Sequence, residues 1–584
     1  MSSDSITGAD ALVLGLAQAG IRLAFGIPGG SALPLFDALA RHPDQLRLVL
    51  TRHEQGATHM ADGYARATGR PAAVFVTSGP GATNTVTGIM AAYMDSIPLL
   101  VLTGQATRAM LGKDAFQETD VFNLTMPIVK HSYLLRSAND VPRVVREAVY
   151  IATSGRPGPV LIDLPQDVAM EICHADLSPS LDLPGYHPAP HDYTSEVLQQ
   201  AATALANARR PVILAGHGAV LSGAAAELQA LAETLHAPVA TTLLAKGVFP
   251  DSHPLSLGMP GMHGTAWANM ALPACDLLLC LGARFDDRIL GERGGFCPDA
   301  YVIHVDLDAS EFDKMTHAHL RCHGDVRTFL RDLLPLLSAP CDDAEWLQEI
   351  RRNQKRHPLV YSRQGGIHPP QVLEVLRRLL PPLSTLVTDV GQHQMWAAQF
   401  FRNETPGRFI TSGGGGAMGF GLPAAIGAQL ARPGEPVVAF VGDGGFQMTM
   451  SELATLVEQQ LPVKILVMNN HSLGMVRQWQ DLFCNARHSG VDLRANPDFV
   501  KLAAAYDIYA QTLKRPADIE KVLRRALVHP GPALVNVETA QNETVYPMVP
   551  PGHPLTDMRL GDRERRRPGR PRKSPLPAKG TPVS

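Results

Sequence analysis

Cysteine is scarce in this sequence, seven in 584 residues, and no two stand in a CxxC pair. An odd, unpatterned set excludes a disulfide framework and a cysteine zinc site and points to a reducing compartment. Charge of one sign is also lacking: a net of −3 gives no bulk attraction to nucleic acid or to an anionic membrane. No apolar run reaches the length that spans a bilayer, and the first residues show neither a signal-peptide h-region nor an Arg- and Ser-rich presequence. A cytoplasmic protein with no membrane and no nucleic-acid partner is therefore expected. The middle of the chain has no GxGxxG. What is present is an ordinary globular composition, 45% hydrophobic and 18% charged. At this length one hydrophobic core does not suffice, so two to four domains are expected.

The richest local pattern is Gly442-Asp443-Gly444-Gly445, which follows the apolar run 436–441 and is answered by Asn469-Asn470. Glycines let backbone N–H groups close on phosphate oxygens at the start of a helix, where the dipole favours negative charge. Asp443 and Asn470 offer hard side-chain oxygens and Ser472 a carbonyl. With two phosphate oxygens these suffice for Mg²⁺. Between the motifs, residues 448–460 read as one helix and 463–468 as a buried parallel strand. The ligands are thus expected at the carboxyl ends of successive parallel strands.

Helix and strand alternate in three blocks. The first, 6–183, has a helix at 9–19 and strands at 46–50, 73–77 and 99–103. A linker at 184–190 leads to a second block, 197–337, with strands at 212–215, 277–282 and 302–306. Residues 338–370 read as a polar connector over the surface, and 371–539, with a strand at 385–390, form the third block. The expected domains are 1–183, 191–340 and 368–550, each a doubly wound parallel α/β sheet with its ligand at the strands' carboxyl ends. Residues 559–584 are rich in Arg, Pro and Lys and are expected to stay disordered. Within them 568–573 (PGRPRK) faintly resembles an AT-hook, but a solvated tail is the better reading, because the preceding blocks explain the protein without DNA.

Several motifs carry a family resemblance: 52–56 (RHEQG), 62–69 (DGYARATG), 77–84 (TSGPGATN), 154–160 (SGRPGPV), 258–264 (GMPGMHG), 282–288 (GARFDDR), 391–399 (GQHQMWAAQ) and 475–480 (MVRQWQ). With the glycine and asparagine motifs above, they resemble the catalytic subunit of acetohydroxyacid synthase, also called acetolactate synthase, over nearly the whole chain. The ending 546–552 (YPMVPPG) is similar to the bacterial isozyme II type. The resemblance implies a pyrimidine-binding, a FAD-binding and a diphosphate-binding domain, with thiamine diphosphate, Mg²⁺ and a non-redox FAD. It implies decarboxylation of pyruvate and transfer of the two-carbon unit to a second pyruvate or to 2-ketobutyrate, at the entry to branched-chain amino acid synthesis. It also implies a homodimer or homotetramer with active sites shared between subunits, and a small regulatory subunit. A flavin-dependent pyruvate oxidase would share all three domains, but Trp479, Arg288 and the YPMVPPG ending argue against it. Glyoxylate carboligase lacks the glutamate found at position 54.

The same resemblance assigns residues. Glu54 would hydrogen-bond N1′ of the aminopyrimidine, which lets the cofactor lose its C2 proton, and a partly buried carboxyl suits that exchange. Met418, in 413–421 (GGGGAMGFG), would prop thiamine in a bent shape. This loop departs from the family at Gly415, where leucine is usual. Pro80, Asn84, Gln392, His393, Gly442, Gly444, Gly445 and Met475 would bind the same cofactor. Gly30 would approach the reacting centre through its backbone N–H, Phe116 and Gln117 would line the pocket, and Lys130 would sit at its mouth. Trp479 would favour the ethyl group of 2-ketobutyrate, and Arg288 would fork onto the acceptor carboxylate. FAD would be held by Arg156, Gly216, Gly218, Thr242, Leu243, His263, Gly264, Gly282, Arg284, Asp306 and Asp325, with Ala245 replacing a usual glycine nearby.

Overall fold

A computed structural model describes residues 5–188, 191–337 and 344–561. Among the described residues, short runs of Val, Ile, Leu and Ala, too apolar for a sheet with one wet face, form eighteen strands in three sheets. The first sheet holds β1 Leu23–Gly26, β2 Arg47–Leu50, β3 Ala72–Val76, β4 Leu99–Gln105, β5 His131–Leu134 and β6 Val160–Pro165. The second holds β7 Pro211–Ala215, β8 Val239–Thr241, β9 Ser256–Gly258, β10 Leu277–Leu281, β11 Tyr301–Asp306 and β12 Leu320–His323. The third holds β13 Thr385–Thr388, β14 Phe409–Ile410, β15 Val437–Gly442, β16 Lys464–Asn469, β17 Tyr509–Leu513 and β18 Ala533–Glu538.

Every pairing between these strands is parallel. The orders are β2-β1-β3-β4-β6-β5, β12-β11-β10-β7-β8-β9 and β14-β13-β15-β16-β18-β17. Numbered within each unit, the outer two sheets share the order 2-1-3-4-6-5, whereas the middle one runs 3-2-1-4-5-6, the doubly wound order of dinucleotide-binding domains. Each order has a switch point: β1/β3, β7/β10 and β13/β15. Gly216 and Gly282 follow the two strands at β7/β10, and Gln392 and Asp443 stand at the ends of those at β13/β15, whereas Asn470 follows β16 and Asp306 ends β11.

The outer domains share one core. The helix Glu54–Thr68 crosses the helix Gly421–Ala431 so closely that a Cβ on Gly63 would lie 2.2 Å from the Ala424 carbonyl oxygen, and one on Gly427 1.9 Å from that of Met60. Met60, Ala61, Phe420, Ala424 and Ile426 are all fully buried around this crossing. Beside it the buried Arg66 guanidinium pairs with Asp62 at 2.5 Å and Asp95 at 2.7 Å. Burial pushes the Asp95 carboxyl up, but Arg66 and the Gly413 and Gly414 N–H groups more than offset it. Removing one member of such a triad would strand an uncompensated charge.

Four expectations change. Residues 448–460 are not one helix: Asp443–Thr449 and Leu453–Glu458 are separated by a tight turn, Met450–Glu452, because the Glu452 side chain turns inward to bond a distant backbone. The strand expected at 385–390 stops at Thr388, where the Asp389 carboxyl accepts the Val390 N–H at 2.8 Å. The connector carries a helix, Ala344–Arg356, whose i, i+4 pair Trp346 and Ile350 is buried, with the Trp346 indole donating to the Pro211 carbonyl at 3.2 Å. Finally, Arg559 belongs to the fold: its backbone pairs with Met548 and its guanidinium lies over Phe483. The rest of the basic tail, 562–584, lies outside the described residues. Among the described residues no helix is long and apolar enough to cross a membrane.

Candidate active site

At the β13/β15 switch point the side chains explain why glycine is required. A Cβ on Gly442 would meet the His393 ring at 2.9 Å, and one on Gly445 would meet Asp389 Oδ1 at 2.2 Å. One on Gly474 would meet Gln392 Oε1 at 2.1 Å. The space so preserved is a cavity lined by Gln392, His393, Met418, Gly444, Asn470 and Met475, among others, all from residues 369–540. Asp443 is buried there and its carboxyl is pushed up to about 6 by desolvation, with Asn496 Nδ2 donating to it at 2.7 Å. Asn470 Oδ1 accepts the Ser472 N–H at 3.0 Å, and both residues line the same cavity as Asp443.

The cavity fits a metal diphosphate. A carboxylate, an amide oxygen and a carbonyl are the oxygen set that Mg²⁺ takes when phosphates complete its shell. His393 Nε2 and Gln392 Oε1 are buried without a protein partner. Burial depresses the His393 imidazole to about 3. An anion beside the ring would reverse that preference and turn Nε2 into a donor.

The loop that presents Met418 is tethered at both ends. Asp95 accepts the N–H groups of Gly413 (3.0 Å) and Gly414 (2.7 Å), and Asp389 accepts those of Gly419 (3.1 Å) and Gly421 (2.8 Å). Asp389 is fully buried and its carboxyl is pushed up to about 6 by that burial. Gly415, the family departure, lies against Ala91 and Met90: a Cβ there would be 2.9 Å from Ala91 Cα. This close seat, rather than slackness, is what glycine provides.

A second cluster forms at β1/β3. Ser31 bridges Thr77 (3.0 Å) and Ser78 (2.9 Å), Gly30 opens the turn Gly30–Ala32, and Gly79, with φ +55, passes beside the Gln117 carbonyl. Glu54 starts its helix behind an N-cap made by His53, and its carboxyl accepts from Asn84 Nδ2 at 2.9 Å, close to Gly81 and the Pro80 turn. Phe116 is 90% exposed. Within one chain neither Glu54 nor Phe116 lines the Asp443 cavity.

Arg288 and Trp479, distant in sequence, do meet: the guanidinium lies 5.5 Å from the ring centroid. Trp479 is one turn beyond Met475, which lines the cavity, on the helix Gly474–Phe483; neither Trp479 nor Arg288 is itself part of the lining. The ending 545–560 packs over the middle domain here, with the Val549 N–H donating to the Met262 carbonyl at 2.8 Å. Lys130, expected at the mouth, is partly buried at the end of a helix. Its ammonium donates to the carbonyls of Ile151 (2.5 Å) and Ser154 (2.7 Å), so the open C-terminal end of the helix Val141–Thr153 has captured it.

At the β7/β10 switch point the backbones of Gly216, Gly218 and Gly282 touch: a Cβ on Gly216 would lie 2.1 Å from the Gly282 carbonyl oxygen. Thr242 and Leu243 follow β8, and Asp306 ends β11. Arg284 is half-buried near His217, Asp286 and Gly414. His263, beside Gly264, is buried and depressed to about 4 by desolvation. Sheet order and the small residues fit a dinucleotide. Two of the assigned residues also have partners within the protein. Arg156 pairs with Asp308 (3.0 Å) and Glu311 (2.8 Å), and Asp325 caps the helix Val326–Leu333. Ala245 is fully buried in the turn Leu243–Ala245.

Asp389, Asp95, Asn496 and Glu452 escaped the reading of the sequence. Asp389 alone had a local signal, a carboxylate at the end of an apolar strand. Two like-wound parallel domains, one with Asp443, Asn470 and Ser472 lining a cavity beside a glycine turn, flank a dinucleotide-type middle domain, and that combination defines a thiamine-diphosphate enzyme. Comparison with known proteins agrees. The N-terminal TPP binding domain of thiamine pyrophosphate enzymes matches residues 6–124, the central domain 198–333 and the C-terminal TPP binding domain 389–537. An acetolactate synthase of Mycobacterium bovis is 46% identical over 94% of this chain and 90% of its own length. A probable acetolactate synthase large subunit of Methanocaldococcus jannaschii is 45% identical over 94% and 95%, and the large subunit of Lactococcus lactis subsp. lactis 44% over 94% and 95%. The chain belongs to the acetolactate synthase family.

Proposed function

We infer that this chain is an acetolactate synthase catalytic subunit, decarboxylating pyruvate and joining the two-carbon unit to a second pyruvate or to 2-ketobutyrate, the first common step of branched-chain amino acid synthesis. The observation that carries this reading is the Arg288–Trp479 stack, one helical turn from Met475, which lines the Asp443 cavity. Bound thiamine diphosphate supplies an acidic carbon that adds to a ketone and an electron sink for the departing CO₂. The chain's own residues do the rest. Asp443, Asn470 and the Ser472 carbonyl would hold Mg²⁺, while His393, Gln392 and the N–H groups of Gly444 and Gly445 would hold the diphosphate. Glu54 would hydrogen-bond the aminopyrimidine ring and hold its proton, and Met418, on its doubly tethered loop, would support the bound thiamine. Trp479 offers the acceptor an apolar wall and Arg288 a planar fork for its carboxylate.

Because Glu54 and Asp443 line separate clusters within one chain, the working site is assembled from the Glu54 cluster of one subunit and the Asp443 cavity of another, in a homodimer or homotetramer. A structural FAD at the β7/β10 switch point, a small regulatory subunit, the isozyme II type and a cytoplasmic location complete the proposal. The test is a purified-protein assay with pyruvate and 2-ketobutyrate, omitting thiamine diphosphate, Mg²⁺ and FAD in turn. Acetolactate formation that requires the first two supports the reading. Pyruvate consumption with flavin reduction and no acetolactate would overturn it.

A further inference from the structure

The Glu452 carboxylate is fully buried, yet it lies outside both ligand clusters. Oε1 accepts the N–H groups of Arg52 (3.1 Å) and His53 (3.0 Å), and Oε2 accepts Arg52 N–H (3.1 Å) and the Thr455 hydroxyl (2.7 Å). The first turn of the Glu54 helix rests directly on it, since a Cβ on Gly56 would come within 2.2 Å of Oε1. Two neighbours strengthen the clamp. Glu458 takes the Arg52 guanidinium at 2.6 Å, and the Thr455 hydroxyl also reaches the Leu50 carbonyl at 3.2 Å. The two residues preceding Glu54 are therefore fixed by the turn Met450–Glu452, which directly continues the helix that starts at Asp443. A buried charge is kept only where its lone pairs are well used, and here they are used on the backbone that aims one acid.

We propose that Glu452 is a positioning residue for Glu54, holding residues 52–53 so that the Glu54 carboxyl meets the aminopyrimidine N1′ and tying that acid mechanically to the Mg²⁺-diphosphate element of its own chain. The proposal rests on the reading of Glu54 given above. Glu452→Asp draws the carboxylate back by one methylene, out of reach of the two N–H groups. Glu452→Gln keeps an oxygen for them and donates its amide to Thr455, whose hydroxyl turns to Leu50.

The experiment uses the full chain with thiamine diphosphate, Mg²⁺ and FAD, and reads kcat, KM, cofactor affinity and the rate of deuterium exchange at the thiamine C2. Misplacing a reacting group by about 1 Å costs about a hundredfold, so Glu452→Asp should lose that much in both kcat and exchange rate. KM and cofactor affinity should stay within about threefold, and Glu452→Gln should recover most of the loss. A lowered Tm with an undiminished exchange rate would overturn the proposal, as would a Gln variant as impaired as Asp, since charge rather than position would then matter. If Glu452→Asp does not fold, Thr455→Val, which removes only one support of Oε2, must show the same split in smaller measure, and an unchanged exchange rate there overturns the proposal. Glu54→Gln serves as the control: exchange at the wild-type rate in that variant would sink the reading of Glu54 itself, and the Glu452 proposal with it, whereas slowed exchange there with an unchanged rate in Glu452→Asp would overturn the Glu452 proposal alone.

Discussion

Replacing Gly445 by alanine puts a methyl group 2.2 Å from Asp389 Oδ1. That is about 1 Å nearer than carbon and oxygen ordinarily approach (~3.3 Å). Asp389 cannot swing aside cheaply, because its carboxylate accepts the N–H groups of Val390, Gly419 and Gly421 in a fully buried position. Leaving one such N–H unpaired costs about 1–3 kcal/mol. The cheaper response is for the helix Asp443–Thr449 to move outward, at the about 1–3 kcal/mol typical of overpacking. That movement would carry the Gly444 and Gly445 N–H groups away from the proposed diphosphate position. We expect thiamine diphosphate to bind about ten- to a hundredfold more weakly in the Gly445→Ala protein. Titration calorimetry with Mg²⁺ present reads the affinity, and urea denaturation reads the stability. Gly434→Ala, with open space around its Cβ, is the control. Adding Asp389→Ala to Gly445→Ala removes the obstacle, so the two changes together should cost less than their sum. Wild-type affinity and stability in Gly445→Ala, or strict additivity in the double variant, would refute the packing argument.

Other consequences follow from single residues. Asp163 is buried between Thr103 (2.6 Å) and Gln105 (2.9 Å), and burial pushes its carboxyl from 3.8 up to about 7. The folded protein thus keeps this proton where the unfolded chain releases it, so the group's contribution, about 4 kcal/mol at most, is present at low pH and lost as pH rises toward 7. Asp163→Asn should flatten the fall in stability across that window, and equal slopes in urea melts of the two proteins would contradict this. Trp479→Leu should reduce discrimination in favour of 2-ketobutyrate by about 1–3 kcal/mol while sparing acetolactate formation. Unchanged product ratios under competition would remove Trp479 from the acceptor site. Asp443→Ala should lose Mg²⁺ and cofactor binding together, whereas Glu54→Gln should bind both and lose about 10²–10⁴ in turnover. Weak cofactor binding by the Glu54 variant would deny the separation of roles.

The three sheets were legible in the sequence because strands buried on both faces must be apolar throughout, and such runs stand out between glycine turns. The Asp443 and Asn470 set was legible for the same reason: each lies at or just beyond the end of such a run. What stayed hidden depends on contacts between distant segments. Glu452 bonds backbone about 400 residues away, and nothing near it in the chain announces that partner. Its inward turn is also what broke the helix expected at 448–460. Asn496 reaches Asp443 from 53 positions on, in an irregular stretch. Lys130 stood in a suggestive segment, but its ammonium has three acceptors, two of them carbonyls at a helix end. The connector helix was masked by its charge, since only Trp346 and Ile350 of its thirteen residues are buried.

The central claim is that one subunit's Glu54 works with another's Asp443, and mixing two inactive proteins tests it most directly. Glu54→Gln and Asp443→Ala chains are unfolded together, refolded at equal concentration, and assayed for acetolactate with all cofactors present. Random pairing makes about half the dimers mixed, each with one intact site in two, so about a quarter of wild-type activity should return. If Glu54 and Asp443 instead serve the same chain, every site in the mixture carries a lesion, and no activity would appear.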